Sequence, residues 1–266
     1  MDNQALTFGS LFTGIGGFDL GFERAGMVCK WQVEIDNYCN KVLEKHWSGI
    51  KRYRDIRKCG KYNLDKVDVI IGGFPCPAFS IAGKRGGFQQ DDLFFEMLRV
   101  CNEISPDWVV FENVQGFVKW RKEAINEIKN IGYDIVDVIL DARDFGIPQS
   151  RRRWFGICFR QGNSINPQLL QRVQGIESKG LYGVRSYVEN TKRGWTHTIQ
   201  TKDKWRAICS NAKRMRIDNG VSNRMDRLRC LGNAVVPQVA EFVAKGILQI
   251  DQKIKRNENI YRFDND

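Results

Sequence analysis

The chain has 266 residues, 42% of them hydrophobic, and a net charge of +11. That length supports one sizeable core with a smaller appendage, and no apolar run reaches the roughly 18 residues that a bilayer-spanning helix needs. The start, Met1-Asp2-Asn3-Gln4, has neither the basic residues nor the apolar stretch of a secretory signal, so a cytoplasmic protein without a membrane segment is expected.

Taken in chain order, Leu6–Phe12 reads as a strand ending in glycines and Phe18–Ala25 as the helix after it. Between them, Gly14-x-Gly16-Gly17 lets the backbone approach a ligand and opens a helix whose first N–H groups are free. A tight strand–helix turn asks for the same glycines, and the row G-I-G-G-F-D departs from the dinucleotide fingerprint G-x-G-x-x-G. Val28–Ile35 is a second strand ending in Glu34-Ile35-Asp36, and Asn37–His46 is helical. A carboxylate at that strand end suits ribose hydroxyls. Asp55-Ile56, ahead of the next core strand, suits an amino group. One such acid alone reads more readily as a surface residue, but three at successive strand ends reverse that preference.

Val67–Ile71 is a continuous apolar run, as expected of a strand buried on both faces. Gly72-Gly73-Phe74-Pro75-Cys76-Pro77 follows it and carries Cys76 to the carboxyl edge of the sheet, where open α/β sheets bind ligands. Flanking prolines restrict the backbone there. None of the eight cysteines forms a C-x-x-C pair, so no metal site is signalled, and most read as small buried hydrophobes. The two histidines, His46 and His197, stand in no motif, which leaves a Cys–His hydrolase without its base.

Leu93–Ile104 has helical spacing, Trp108–Phe111 is another buried strand, and Arg121–Ile131 another helix. Glu112 lies just past that strand, at the same sheet edge as Cys76, where burial can raise its pKa toward proton donation. Tyr133–Leu140 and Arg153–Phe159 complete the strands, and Gln149-x-Arg151-x-Arg153 opens the last of them with three side chains expected on one face. Strand–helix alternation throughout predicts an α/β fold with a mostly parallel sheet between helical layers.

After Phe159 the pattern turns polar and irregular. From Arg143 to Arg229 there are nineteen Lys/Arg against six Asp/Glu, so the rest of the chain is slightly acidic. A basic block confined to one region fits a polyanion-binding face, and equally a solvated surface. Residues 160–225 are read as a small separate domain, residues 1–159 and 226–250 as the main one, and 251–266 as a charged, solvated tail. Within the return segment Leu228–Gly246, a Gly-Asn turn is expected to lead into the helix Val239–Leu248.

Six ordered blocks resemble the cytosine-C5 DNA methyltransferase family: Phe12-Thr13-Gly14-Ile15-Gly16-Gly17-Phe18, then Glu34 and Asp55, Gly73-Phe74-Pro75-Cys76, Glu112-Asn113-Val114, Gln149-Ser150-Arg151-Arg152-Arg153, and Gly232-Asn233-Ala234-Val235-Val236-Pro237. The resemblance implies a Rossmann-like S-adenosylmethionine-dependent fold with a small DNA-recognition domain. It implies a cytosine flipped out of duplex DNA, with Cys76 attacking its ring, Glu112 bonding the pyrimidine, and Arg151 and Arg153 holding the base. The cofactor S-adenosyl-L-methionine is placed on Phe12, Gly14, Ile15, Gly16, Gly17, Glu34, Ile35, Asp55 and Ile56, with Pro75, Leu93, Asn233 and Ala234 beside them.

Residues 78–91 resemble the family's closing loop, which puts Ser80, Lys84 and Arg85 on DNA, together with Gln149 and the basic Lys202, Lys204 and Arg206 of the recognition region. A monomer is expected, with a restriction endonuclease acting separately as its partner activity. Several departures stand out: Pro77 follows the cysteine where many bacterial members carry Gln, Gln90-Asp91-Asp92 replace the family's Arg-Gly, and the recognition region is short, with no clear version of the motif that normally follows it. A tRNA-modifying member of the family and a catalytically silent DNA-binding relative are the competing readings.

Overall fold

A computed structural model of the chain describes residues 4–75, 93–162 and 224–255. Seven strands form one sheet in the order β3-β2-β1-β4-β5-β7-β6. They are β1 (Thr7–Leu11), β2 (Val28–Val33), β3 (Lys51–Tyr53), β4 (Val69–Gly73), β5 (Trp108–Val114), β6 (Tyr133–Asp141) and β7 (Arg152–Arg160). The described helices are α1 (Gly17–Arg24), α2 (Asn37–His46), α3 (Leu93–Ile104), α4 (Arg121–Asn130), α5 (Arg224–Asn233) and α6 (Pro237–Lys255). Strands β1 to β5 pair in parallel, while β7 runs antiparallel to both β5 and β6. The mostly parallel α/β sheet expected from the alternating pattern is thus present.

Continuous apolar runs form the central strands because both faces are covered. In β4, Val69 and Ile71 join one core with α1 and α6, while Ile70 joins the opposite core with α3 and α4. In β5, Trp108 and Val110 face the first core, and Val109 and Phe111 the second. That is the period-two alternation of a strand sandwiched between helical layers. Helix α1 approaches α6 closely because two positions lack a side chain. A Cβ on Gly17 would sit 2.2 Å from the Val235 carbonyl oxygen, and one on Gly21 2.4 Å from the Ala240 Cβ.

Several boundaries differ from the sequence expectation. Strand β5 continues to Val114, so Glu112 lies within it rather than past it. The short edge strand β3 carries no apolar run and was not anticipated. Gly232 and Asn233 close helix α5 instead of forming a free turn. Strand β7 begins at Arg152, so Gln149 and Arg151 precede it and do not share its alternation. Helix α6 runs to Lys255 with Ile250 buried and a Lys255–Asp251 pair at 2.8 Å, so it extends into the stretch expected as tail. Among the described residues no helix is long and apolar enough to cross a membrane.

Candidate active site

The carboxyl edges of β1, β2, β4 and β5 open onto a cleft of about 830 Å³, closed on one side by the end of α5. That is within the size of small-molecule sites, roughly 300–1,000 Å³. Its floor near β1 is made by the glycine turn. Phe12 and Gly14 both adopt positive φ, 53° and 59°, and both line the cleft. Glu34, at the tip of β2, accepts the Gly14 N–H through Oε2 and the Asp36 N–H through Oε1, each at 2.7 Å. This carboxylate therefore ties the glycine turn to the start of α2, and each oxygen keeps a further lone pair for a ligand.

Ile35 beside it is 65% exposed, an apolar side chain left open on the wall of the cleft. Asp36 caps α2 by accepting the Cys39 N–H and pairs with Arg229 at 2.6 Å. Burial alone would raise its pKa, but those two donors outweigh it and the net shift is downward. Asp55 caps a short turn at Ile56–Lys58, and Asp55 and Ile56 complete that wall.

The opposite wall carries the chemistry-bearing groups. Residue Gly73 of β4 is directly opposite Glu112 of β5, and a Cβ on Gly73 would stand 2.9 Å from Glu112 Oε2. The missing side chain makes the slot that holds the carboxylate. On the other flank Arg153 pairs in register with Val114, so Glu112 is its diagonal neighbour on the same face. Its Nε lies 3.1 Å from Glu112 Oε1. Burial raises Glu112 to about 7 against the opposing pull of the Arg153 and Arg151 guanidinium groups. A carboxyl group with that pKa can donate a proton near neutrality and can carry a negative charge just above it.

Arg151 turns elsewhere. Its Nη2 donates to the carbonyls of Gly232 and Ala234, at 2.8 and 2.7 Å, and so clamps the α5–α6 junction onto the start of β7. Gln149 is exposed and off the cleft. Asn113, which sequence reasoning passed over as a site residue, donates from Nδ2 to the Phe74 carbonyl at 3.0 Å. Phe74 itself is buried against Phe94, Phe111 and Phe117, with ring centroids 5.1, 6.3 and 5.1 Å away. The segment leading to Cys76 is therefore pinned from both its backbone and its side chain. The signal for Asn113 was its place beside Glu112 on a cleft-edge strand.

Of the expected cofactor positions, Phe12, Gly14, Glu34, Ile35, Asp55, Ile56, Pro75, Leu93, Asn233 and Ala234 line the cleft. Ile15, Gly16 and Gly17 do not. Gly16 serves packing, since a Cβ there would meet the Trp47 ring at 2.4 Å, and Gly17 admits the Val235 carbonyl. Cys76, Ser80, Lys84, Arg85, Lys202, Lys204 and Arg206 lie outside the described residues.

Residues 6–224 match the family model of the C-5 cytosine-specific DNA methylases. The chain belongs to that family. Among its curated relatives, the Type II methyltransferase M.HhaI of Haemophilus parahaemolyticus is 38% identical over 179 residues, 65% of this chain and 54% of the relative. M.FnuDI of Fusobacterium nucleatum is 37% identical over 164 residues, 59% of this chain and 48% of the relative. The chain thus spans about half the length of the curated relatives it matches. Solved structures share the methylase fold at lower identity. A Spodoptera frugiperda DNMT2 variant gives a TM-score of 0.62 at 15% identity, covering 92% of this chain and 100% of that one. The S. pombe Dnmt2 methyltransferase gives 0.61 at 18%, covering 92% and 99%.

Proposed function

We propose that the chain transfers a methyl group from S-adenosylmethionine to C5 of a cytosine flipped out of duplex DNA. The observation that carries this reading is the Glu112–Arg153 pair, buried in the slot opposite Gly73 and one strand from the segment that leads to Cys76. A carboxyl group beside a guanidinium presents a donor–acceptor edge suited to the N3, amino and carbonyl groups of a pyrimidine. The cleft around exposed Ile35, with Glu34 and Asp55 at its rim, fits a ligand having both an apolar ring face and hydroxyl or amino groups.

In the proposed reaction the Cys76 thiolate bonds to C6 and pushes the ring electrons toward C5. Protonated Glu112 donates to N3 as that charge builds, which a pKa of about 7 allows. Arg153 steadies Glu112 and reaches the base oxygen. The cofactor supplies an electrophilic methyl group. C5 takes it; N3 then returns its proton to Glu112, C5 gives up its own to solvent, and the electrons left at C5 expel Cys76 as the thiolate. Residues 160–225 are assigned to target recognition, with Lys202, Lys204 and Arg206 on the phosphates.

Labelled S-adenosylmethionine offered with duplex DNA and with tRNA in parallel tests the reading. Label on DNA, lost in Cys76→Ser, supports it; label on tRNA alone or on neither overturns it. DNA carrying 5-fluorocytosine at the methylated position should remain covalently joined to the protein, since fluorine cannot leave as the proton does.

A further inference from the structure

Cys39 in the first turn of α2 and Cys230 in α5 are 191 positions apart in the chain, yet their Sγ atoms lie 3.1 Å from each other. Each is 5% exposed, and both line the cleft. A small solute in the cleft can therefore reach them where a protein cannot.

Two chemistries suit a buried thiol pair. A tetrahedral metal with metal–sulfur bonds of about 2.3 Å would need the sulfurs about 3.8 Å apart, and two or more further ligands. Among the described residues the additional ligand at hand is Asp36, its oxygen and the two sulfurs lying within 4.8 Å of one another. Both Asp36 oxygens are already engaged, Oδ1 by the Cys39 N–H at 2.9 Å and Oδ2 by Arg229 at 2.6 Å. That guanidinium also opposes an incoming cation. A disulfide needs none of this. Its bond of about 2.05 Å is reached by a closure of about 1 Å between side chains already in contact.

We propose that Cys39 and Cys230 are an oxidisable pair, a modification site at which a hydroperoxide joins α2 to α5 through a disulfide. One sulfur attacks hydrogen peroxide and becomes a sulfenic acid, releasing one water. The second sulfur displaces the sulfenic oxygen, which leaves as a second water. The two thiols give up two protons and two electrons, and the peroxide is reduced. Burial pushes the Cys39 thiol up, so little thiolate forms near neutrality and attack on the peroxide speeds up as pH rises. Because α5 carries the chain back to the sheet after residue 223, the bond fixes that return on the helix that follows Glu34 and Asp36.

The full chain is treated with hydrogen peroxide at about pH 8, remaining thiols are blocked, and the digest is read by mass spectrometry without reductant. The expected product is a Cys39–Cys230 linked peptide, lighter by two hydrogen atoms than its parts and lost on adding dithiothreitol. Its formation should raise Tm by several degrees, because the bond restricts the unfolded chain. Cys39→Ser and Cys230→Ser should each abolish both the link and the rise. Recovery of the two cysteines on separate blocked or over-oxidised peptides of the wild type overturns the proposal. So does zinc copurifying with the untreated protein and lost in either variant.

Discussion

Replacing Glu112 by Gln should stabilise the fold at alkaline pH while removing methyl transfer. The carboxyl group has a pKa of about 7 in the folded protein against 4.5 for an unburied one, with burial as the largest cause. For an acid with a raised folded pKa the penalty is absent below about 4.5. It grows as pH climbs toward 7, because the unfolded chain releases its proton first, and is complete above that. A shift of 2.5 units corresponds to about 3 kcal/mol in full. Between about pH 5 and about pH 8 the wild type should lose about 2.5 kcal/mol more stability than Glu112→Gln, which has no proton to release. Urea unfolding of both proteins at the two pH values, with equal m, measures the difference directly. Parallel profiles, differing by less than about 0.5 kcal/mol over that range, would refute the account of Glu112 as a carboxylate held in its slot at a cost.

Gly73→Ala places a Cβ 2.9 Å from Glu112 Oε2 and pushes the carboxylate from its slot, so methyl transfer should fall at least about tenfold with Tm nearly unchanged; full activity would mean the slot is not needed. Asn113→Ala leaves the Phe74 carbonyl without its donor and should cost about 1–3 kcal/mol by thermal denaturation, with a further loss of activity through the displaced approach to Cys76. Arg151→Met removes both bonds to the α5–α6 junction, and amide exchange over residues 230–236 should speed up while that of β4 stays the same. Asp19 is fully buried with its pKa raised to about 6 by that burial, despite bonds from Gln32 and Ser10. Asp19→Asn should therefore lose the decline in stability that the wild type shows between about pH 4 and pH 6, as read by urea melts across that range.

The central sheet was legible because Val67–Ile71 and Trp108–Phe111 are apolar without interruption, a pattern that fits a strand covered on both sides. Edge strand β3, Lys51-Arg52-Tyr53, has one ladder and only Tyr53 packed, partly buried, against the core, so hydropathy could not mark it. The tail was misjudged because Asp251 to Lys255 reads as a charge run. In the helix the two charges stand one turn apart and pair. In the site, the strand-end rule located Glu112, Glu34 and the approach to Cys76. It could not foresee that Arg151 is claimed by carbonyls more than 80 positions onward, since no local period encodes that contact. The glycine turn was ambiguous on its face, and the ambiguity is real. Gly14 opens the cleft, while Gly16 and Gly17 make room for Trp47 and Val235.

The close seat of α6 on α1 has a consequence for synthesis. Phe8, Phe22, Val69 and Val110 near the front of the chain share a core with Val243, Ile247 and Ile250 near its end. A nascent chain growing at about 5–20 residues per second exposes that apolar sheet face for many seconds before α6 can cover it. Contacts so remote in sequence also slow the final closure. Chains cut short after β7 should accordingly be drawn to chaperones or to one another rather than persist as a half-built sheet.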